Sequence, residues 1–360
     1  MLWGDTPSLF SSYAQPLLNV SPPLYHALQL KSTDSAWIVY DTAADFHLAI
    51  DKSTAQIHLA GRTGIRQDFF AWCRALSSRW VTLTMPSHSL LYGLGEKTGG
   101  LDKSGRFWQQ WATETPPTSD SADPLYQAIP FAIWANPQQA GGLFAAGTAR
   151  SYWDAESMPE GKLSIGLDDG ALDMYWLPGP QVADVVRQYT TLTGTMHLPP
   201  IWALGFQQSR YSYLTQDSVL EIARQFRRRH LPLDALYLDI DYMNGFRLFT
   251  WDARRFPRPQ EMTRALQDQG IQTVAIIDPG VKVDAFYSMY AEGSARQLFM
   301  QYRNGQEFHS RVWPGLCAFP NFLSAKTRAW WSQANAQFVQ ENRLAGLWND
   351  MNEPALWGDD

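Results

Sequence analysis

Residues 235–241 are Ala235-Leu236-Tyr237-Leu238-Asp239-Ile240-Asp241, a short and mostly apolar run that ends in carboxylates. Two later stretches repeat this pattern, Thr273-Val274-Ala275-Ile276-Ile277-Asp278 and Gly346-Leu347-Trp348-Asn349-Asp350. Short runs of this composition are typical of strands buried in a parallel sheet. The three acidic strand ends therefore predict one sheet edge that collects carboxylates.

Helical patterns precede the first of these strands and lie between the later ones. After Thr215, a typical helix start, apolar side chains recur at the i, i+3, i+4 and i+7 spacing of a helix that lies on a core. They are Val219, Ile222, Ala223 and Phe226. We also predict helices over residues 260–269, closed by Gly270, and over residues 325–342.

A first strand is predicted at residues 202–206, so strands and helices alternate from Leu198 onward. This order predicts a parallel sheet covered by helices, and the acidic strand ends favour a (β/α)8 barrel with its site at the strand C-termini. A complete barrel takes about 250 residues, whereas residues 198–360 contain four predicted strands. We therefore expect the first half of a barrel, with four β/α units.

The alternative is a doubly wound nucleotide-binding sheet, which has a glycine-rich phosphate loop after its first strand. Residues 207–211, which follow the first predicted strand, contain no glycine. The glycine-rich stretch Gly93–Gly100 has Thr98 in place of the third glycine of the nucleotide fingerprint. These residues exclude the nucleotide-binding interpretation.

The first 197 residues have a different pattern. Apolar and polar side chains alternate over stretches such as 46–50, 81–85 and 163–167, with clusters of turn-forming residues between them. A period of two is typical of antiparallel strands. We predict an N-terminal antiparallel β-sandwich over residues 1–197, followed by the barrel domain over residues 198–360.

Composition argues against several classes of protein. The net charge is −6 and the basic residues form no block larger than Arg227-Arg228-Arg229, so nucleic-acid binding is not expected. Two distant cysteines and seven scattered histidines indicate neither a disulfide framework nor a metal site. Because we find no membrane-length apolar stretch and no signal-peptide pattern after Met1, we expect a cytoplasmic protein without membrane partners.

The carboxylates at the strand ends are suited to glycoside chemistry. Asp350, followed three residues later by Glu353, could attack an anomeric carbon, or it could simply cap the next helix. Asp239 and Asp241 are expected on the same side of the sheet, where they could bind sugar hydroxyls or form a solvated or metal-bound pair. Asp278 could equally be a turn-forming residue.

Further motifs accompany these carboxylates along the chain. In order, they are Leu91-Tyr92-Gly93-Leu94-Gly95-Glu96-Lys97-Thr98-Gly99, Asp123-Pro124-Leu125-Tyr126-Gln127-Ala128-Ile129-Pro130-Phe131, Leu204-Gly205-Phe206-Gln207, Ser209-Arg210-Tyr211-Ser212-Tyr213, Tyr237-Leu238-Asp239-Ile240-Asp241-Tyr242-Met243, Val312-Trp313-Pro314-Gly315 and Trp348-Asn349-Asp350-Met351-Asn352-Glu353. With these motifs the chain resembles family 31 of the glycoside hydrolases, the α-glucosidase family, from about Leu91 to Asp360.

The resemblance implies a galactose-mutarotase-like β-sandwich followed by a barrel, a retaining mechanism, and neither a cofactor nor a metal. It implies that Asp350 is the catalytic nucleophile and that Asp239 binds the non-reducing terminal glucose. The other residues implied to contact the sugar are Ile240, Tyr211, Asp278, Trp313, Trp348, Met351 and, on a loop of the sandwich, Glu114. Glu353 and Asp241 are expected to support the site, and Asp241 is the more structural of the two.

The motifs at 239–243 and 350–353 resemble those of α-glucosidases more than those of α-xylosidases. The expected reaction is hydrolysis of terminal non-reducing α-linked glucose from oligosaccharides. The family's acid/base carboxylate lies well downstream of the nucleophile, so this chain alone is expected to be an inactive fragment. The open alternatives are a carbohydrate-binding protein with a vestigial barrel, and an α-transglucosylase or α-glucan lyase of the same family.

Overall fold

A computed structural model describes most of the chain. The described residues are 29–41, 46–51, 57–61, 67–69, 79–115, 119–169 and 173–357. Backbone contacts divide the chain into two compact units, Met1–Met196 and His197–Asp360. No helix in the described ranges is long and apolar enough to cross a membrane.

The described part of the first unit contains three antiparallel sheets. The first consists of β1 (Gln29–Ser32), β2 (Ala36–Asp41), β3 (Phe46–Asp51), β4 (Ile57–Gly61) and β5 (Gln67–Phe69), in that order. The remaining strands are β6 (Arg79–Thr84), β7 (Leu90–Gly95), β8 (Phe107–Gln110), β9 (Ala128–Ala135), β10 (Ala140–Ala146), β11 (Ser151–Asp154), β12 (Lys162–Leu167) and β13 (Asp173–Pro178). They form two four-stranded sheets, ordered β13-β10-β9-β7 and β6-β12-β11-β8.

These two sheets share a single hydrophobic core. Leu83 of β6 and Ile165 of β12 belong to the same buried cluster as Leu91 of β7 and Trp134 of β9. Val81 and Leu83 of β6, and Ala132 and Trp134 of β9, are alternate residues that belong to this cluster, as the period-two pattern predicts. The expected antiparallel β-sandwich is therefore confirmed, and helix α1 (Val182–Thr193) packs against it through Val185.

The second unit is built around four parallel strands that lie side by side in sequence order. They are β14 (Gln207–Gln208), β15 (Ala235–Leu238), β16 (Gln272–Ile277) and β20 (Gly346–Asn349). The intervening helices are α2 (Gln216–Arg228), α3 (Pro259–Gln267), α4 (Ser288–Ala295) and α5 (Ala325–Asn342). A small antiparallel sheet of β17 (Val281–Lys282), β18 (His309–Val312) and β19 (Gly315–Ala318) precedes α5. This is the expected order of the first half of a (β/α)8 barrel, and the fold class is confirmed.

The predicted first strand is displaced in the structure. Ile201–Leu204 form a 3-10 turn, which Ala203 and Gly205 close by donating to the carbonyl oxygens of Pro200 and Trp202 at 2.9 and 3.1 Å. These bonds compete with a strand ladder, and the side chain of Ile201 is exposed. The strand is the pair Gln207–Gln208, so the prediction of a strand at 202–206 is wrong.

The core beneath the parallel sheet yields a test of the fold. Leu236 of β15 is fully buried in it, whereas Leu231, before the same strand, is half exposed. We expect Leu236→Ala to lower the free energy of unfolding by about 2–5 kcal/mol, because the cavity adds to the lost burial. The matched variant Leu231→Ala should change it by less than about 0.5 kcal/mol. Urea denaturation measures both, and equal effects would contradict the described core.

Candidate active site

Three carboxyl groups meet at one edge of the parallel sheet. Asp239, Asp278 and Asp350 each come directly after the last residue of β15, β16 and β20. These strands are hydrogen-bonded neighbours. The backbone N–H of Asp350 also donates to the carbonyl oxygen of Ile277 at 3.1 Å, which continues the ladder to the acidic residues themselves. The sequence pattern therefore placed these acids correctly at the carboxyl ends of adjacent strands.

Asp239 is half-buried at the start of a 3-10 turn. Its side chain accepts a hydrogen bond of 2.8 Å from the backbone N–H of Ile240. Burial raises the pKa of Asp239, and the negative charge of Asp350 adds to this, whereas the hydrogen bond from Ile240 acts in the opposite direction. One bond occupies only part of a carboxylate's accepting capacity, so Asp239 retains lone pairs for a ligand's hydroxyl groups.

The sequence predicted that strand alternation places Asp241 on the same face as Asp239. This prediction is wrong. The strand ends at Leu238, and residues 240–242 turn in a 3-10 helix, to which a period of two does not apply. Asp241 instead forms an ion pair of 3.2 Å with Arg255. Arg255 also pairs with Asp252 at 3.0 Å, so Asp241 belongs to an ion-pair network that fixes the loop after β15.

Asp278 is the most deeply buried of the three strand-end acids. The residue is 4% exposed, and its Oδ1 has no hydrogen-bond partner among the described residues. Burial raises the pKa of Asp278 to about 7, and the charges of Asp350, Asp239 and Glu353 add to this effect. Burial therefore favours the protonated form of Asp278 below neutral pH.

The chain turns sharply after Asp350. Met351 has a φ of 55°, in the left-handed region that side chains other than glycine rarely adopt, and it is buried against Val312 and Cys317. Asn352 donates through its side-chain amide to the carbonyl oxygen of Asp350 at 2.7 Å. Glu353 is half-buried, and its Oε2 is a buried atom without a partner among the described residues.

Several aromatic residues of the predicted site pack against other aromatic rings. The rings of Tyr211 and Trp313 lie 6.2 Å apart, and Trp313 meets Trp357 edge-on at 4.5 Å. Trp348 of β20 packs edge-on against Tyr237 of β15 at 6.4 Å. Trp357 is absent from the sequence-based site, although its position just after the motif at 348–353 was an available signal.

Two other predicted site residues have distinct surroundings. Ile240 is 2% exposed and belongs to the hydrophobic core of the second unit, so its side chain is packed in the described structure. Glu114 is exposed in the first unit on the loop that follows β8, a loop held by a 3.1 Å bond from Thr113 N–H to the Leu125 carbonyl oxygen. The predicted sugar contacts of both residues stay predictions.

Asp239, Asp278, Asp350 and Glu353 form an acidic cluster that has no basic partner in the described ranges. None of the ion pairs found there includes Asp239, Asp278, Asp350 or Glu353. The described residues also contain no group of three or more histidine, cysteine, aspartate or glutamate side chains arranged to hold a metal ion. The arrangement is suited to binding hydroxyl groups and to stabilising positive charge that develops on a ligand.

Two family models match the chain. The model of the glycosyl hydrolases family 31 TIM-barrel domain matches residues 196–360. The model of the glycosyl hydrolase 31 N-terminal galactose mutarotase-like domain matches residues 26–154. Alpha-glucosidase 2 of Bacillus thermoamyloliquefaciens is 44% identical over 269 residues, which cover 74% of this chain and 34% of that protein. The chain thus spans about a third of the length of this curated relative.

Solved structures of two bacterial proteins have a similar fold. The family 31 dextranase of Flavobacterium johnsoniae, complexed with glucose, superposes with a TM-score of 0.79 at 25% identity. That match covers 92% of this chain and 41% of the dextranase. The family 31 α-glucosidase from Bacteroides thetaiotaomicron matches with a TM-score of 0.70 at 33% identity, over 78% of this chain and 48% of that one.

The buried acid makes stability depend on pH in a defined direction. The pKa of Asp278 is raised from 3.8 to about 7 in the folded protein. The contribution of Asp278 to the free energy of unfolding is therefore fully present below pH 3.8 and is lost as pH rises through 7. This difference in pKa corresponds to about 4 kcal/mol. We expect Asp278→Asn to have wild-type stability near pH 4 and to be the more stable protein at pH 8. Urea denaturation at both pH values tests this, and a variant less stable than wild type at pH 8 would contradict it.

Proposed function

Since the chain belongs to family 31 of the glycosyl hydrolases, we propose that its protein hydrolyses terminal non-reducing α-linked glucose from oligosaccharides by a retaining mechanism. One observation carries the proposal. Asp350 follows β20 directly, next to two acids at the ends of the neighbouring strands, in a cluster without a cationic partner among the described residues. The name of the 44% identical relative, an alpha-glucosidase, supports the choice of substrate.

Asp350 is the nucleophile in this proposal. Its carboxylate forms a bond to the anomeric carbon while the bond from that carbon to the leaving oxygen breaks, and the leaving oxygen takes a proton from an acid. Water then attacks the anomeric carbon of the covalent intermediate and gives its proton to the same acid/base group. Asp350 is released as a carboxylate, and two inversions return the sugar to its starting configuration.

Asp239 holds the sugar in this proposal. Its carboxylate lies at the end of β15 and uses one hydrogen bond to Ile240, so free lone pairs remain for hydroxyl groups of the terminal glucose. Binding of hydroxyl donors also favours the charged form of Asp239, whose pKa burial raises. The rings of Tyr211, Trp313 and Trp348 supply flat apolar surfaces suited to the faces of the sugar.

The acid/base group is a separate part of the proposal. Asp239 is engaged by the backbone, Asp278 is nearly inaccessible to solvent, and Glu353 lies only three residues from Asp350. A retaining enzyme needs an acid/base carboxyl group about 5 Å from the nucleophile that exchanges protons with the leaving group and with water, and we assign none of these three acids to that role. We propose that the group lies outside these 360 residues and that the 360-residue chain alone does not hydrolyse glucosides. The intact mass of the native protein should then exceed 40.8 kDa.

Replacing the nucleophile gives the sharpest kinetic test. In the native protein, Asp350→Asn should lower kcat for a nitrophenyl α-glucoside by at least about 10⁴-fold, because the amide cannot form the glycosyl ester. Asp268→Asn is the matched control, since Asp268 is an exposed residue at the end of α3, and its kcat should equal that of wild type. Activity retained in Asp350→Asn would remove Asp350 from the nucleophile role.

The configuration of the product tests the retaining mechanism separately. Proton NMR of early time points should show α-glucose forming first and the β-anomer appearing only as the sugar mutarotates. An initial β-anomer would indicate a single displacement and would refute the covalent intermediate.

A kinetic assay tests the choice of sugar. Hydrolysis of a nitrophenyl α-xyloside should have a much lower kcat/KM than hydrolysis of the corresponding α-glucoside.

A further inference from the structure

Asp278 is deeply buried, and one oxygen of its carboxyl group forms no hydrogen bond with the described residues. The residue is 4% exposed, and Oδ1 has no hydrogen-bond partner in the described part of the chain. The hydroxyl group of Tyr242, on which the charge of Asp278 acts, donates instead to the carbonyl oxygen of Ile276 at 3.0 Å. A buried ionised carboxylate without a partner would be far more costly than a neutral one, so these surroundings favour the protonated acid.

The groups that face Asp278 are acids or neutral donors. They are Asp239 after β15, Tyr242 in the following turn, Cys317 in β19, and Asp350 and Glu353 after β20. Lys282 of β17 interacts with Cys317 and Asp284. Asp278 has three carboxyl groups around it and forms no ion pair among the described residues. These surroundings favour its protonated form.

The strand pairing places Asp278 beside Asp350. Ile277 and Asn349 are register partners in the pairing of β16 with β20, so the two acids are the next residues on adjacent parallel strands. The 3.1 Å bond from Asp350 N–H to the Ile277 carbonyl oxygen fixes this relation. Of the charges that act on Asp278, that of Asp350 has the largest effect.

We propose that Asp278 is a positioning residue for Asp350 and that it works in its uncharged form, as a hydrogen-bond donor that orients the Asp350 carboxylate. This role rests on the proposed function of Asp350. It differs from the sugar contact expected for Asp278, in which an ionised Asp278 would accept a bond from a hydroxyl group. In the positioning role, the proton stays on Asp278 throughout the reaction, and only one of the two neighbouring acids is charged. Burial raises the pKa of Asp278 to about 7, which is consistent with a donor at and below neutral pH.

Infrared difference spectroscopy of the native protein tests the proton without any assay of activity. The band of a protonated buried carboxyl group should titrate near pH 7 in the wild type and be missing in Asp278→Asn. In Asp350→Asn the band should disappear at a lower pH, because its strongest charged neighbour is removed. The control Asp268→Asn should match the wild type. The proposal is overturned if no such band exists above pH 5, or if Asp350→Asn leaves its titration unchanged.

Two variants then test the positioning role. Asparagine keeps a neutral donor at this position, so Asp278→Asn should retain kcat within about tenfold and lose the decline in rate above pH 7. Alanine removes the donor, so Asp278→Ala should lower kcat on the order of 100-fold at every pH with little change in KM. Equal losses in both variants would show that the charge of Asp278 is required, and the proposal would fail. If the wild type hydrolyses no glucoside, the proposed function fails instead, and the infrared titrations still decide whether Asp278 holds a proton and is coupled to Asp350.

Discussion

The hydrogen-bonded pairing of three parallel strands is the constraint on which the site depends. Parallel strands end at the same edge, so the residues that follow β15, β16 and β20 must come together whatever their charge. The apolar strand residues beneath them, such as Leu236 and Ile276, are almost completely buried and stabilise that edge. The fold thus holds acids close together despite their mutual repulsion, which would keep them apart on a flexible chain.

The surroundings of each acid determine how this repulsion is accommodated. Asp241 pairs with Arg255, Asp239 accepts a hydrogen bond from a backbone N–H, and Asp278 is buried without a partner for Oδ1 among the described residues. Only the last arrangement favours the uncharged form strongly. One residue type therefore has three roles at neighbouring positions: an ion pair within a loop, a half-buried acceptor and a buried neutral acid.

Local patterns predicted much of this fold. The helix at 325–342 and the helix start at Thr215 have the predicted limits, because periodicity and capping are determined by near neighbours. The end of β15 at Leu238 and the pairing of Asp241 with Arg255 were not predicted, because they depend on contacts between residues distant in the sequence. The packing of Trp357 against Trp313 was likewise not predicted, although the position of Trp357 just after the motif at 348–353 was an available signal. The sequence identified the strand-end acids themselves, but their charge states follow from burial, which only the structure provides.

The central claim is that Asp350 forms the covalent bond to the sugar. Treatment of the native protein with a slowly hydrolysed fluorinated α-glucosyl fluoride, followed by peptide mass spectrometry, tests this claim most directly. We expect one peptide to gain the mass of the fluorinated sugar, and its fragmentation should place the label on Asp350. A label on Asp239, Asp278 or Glu353, or a fully inactivated protein with no labelled peptide, would contradict the account.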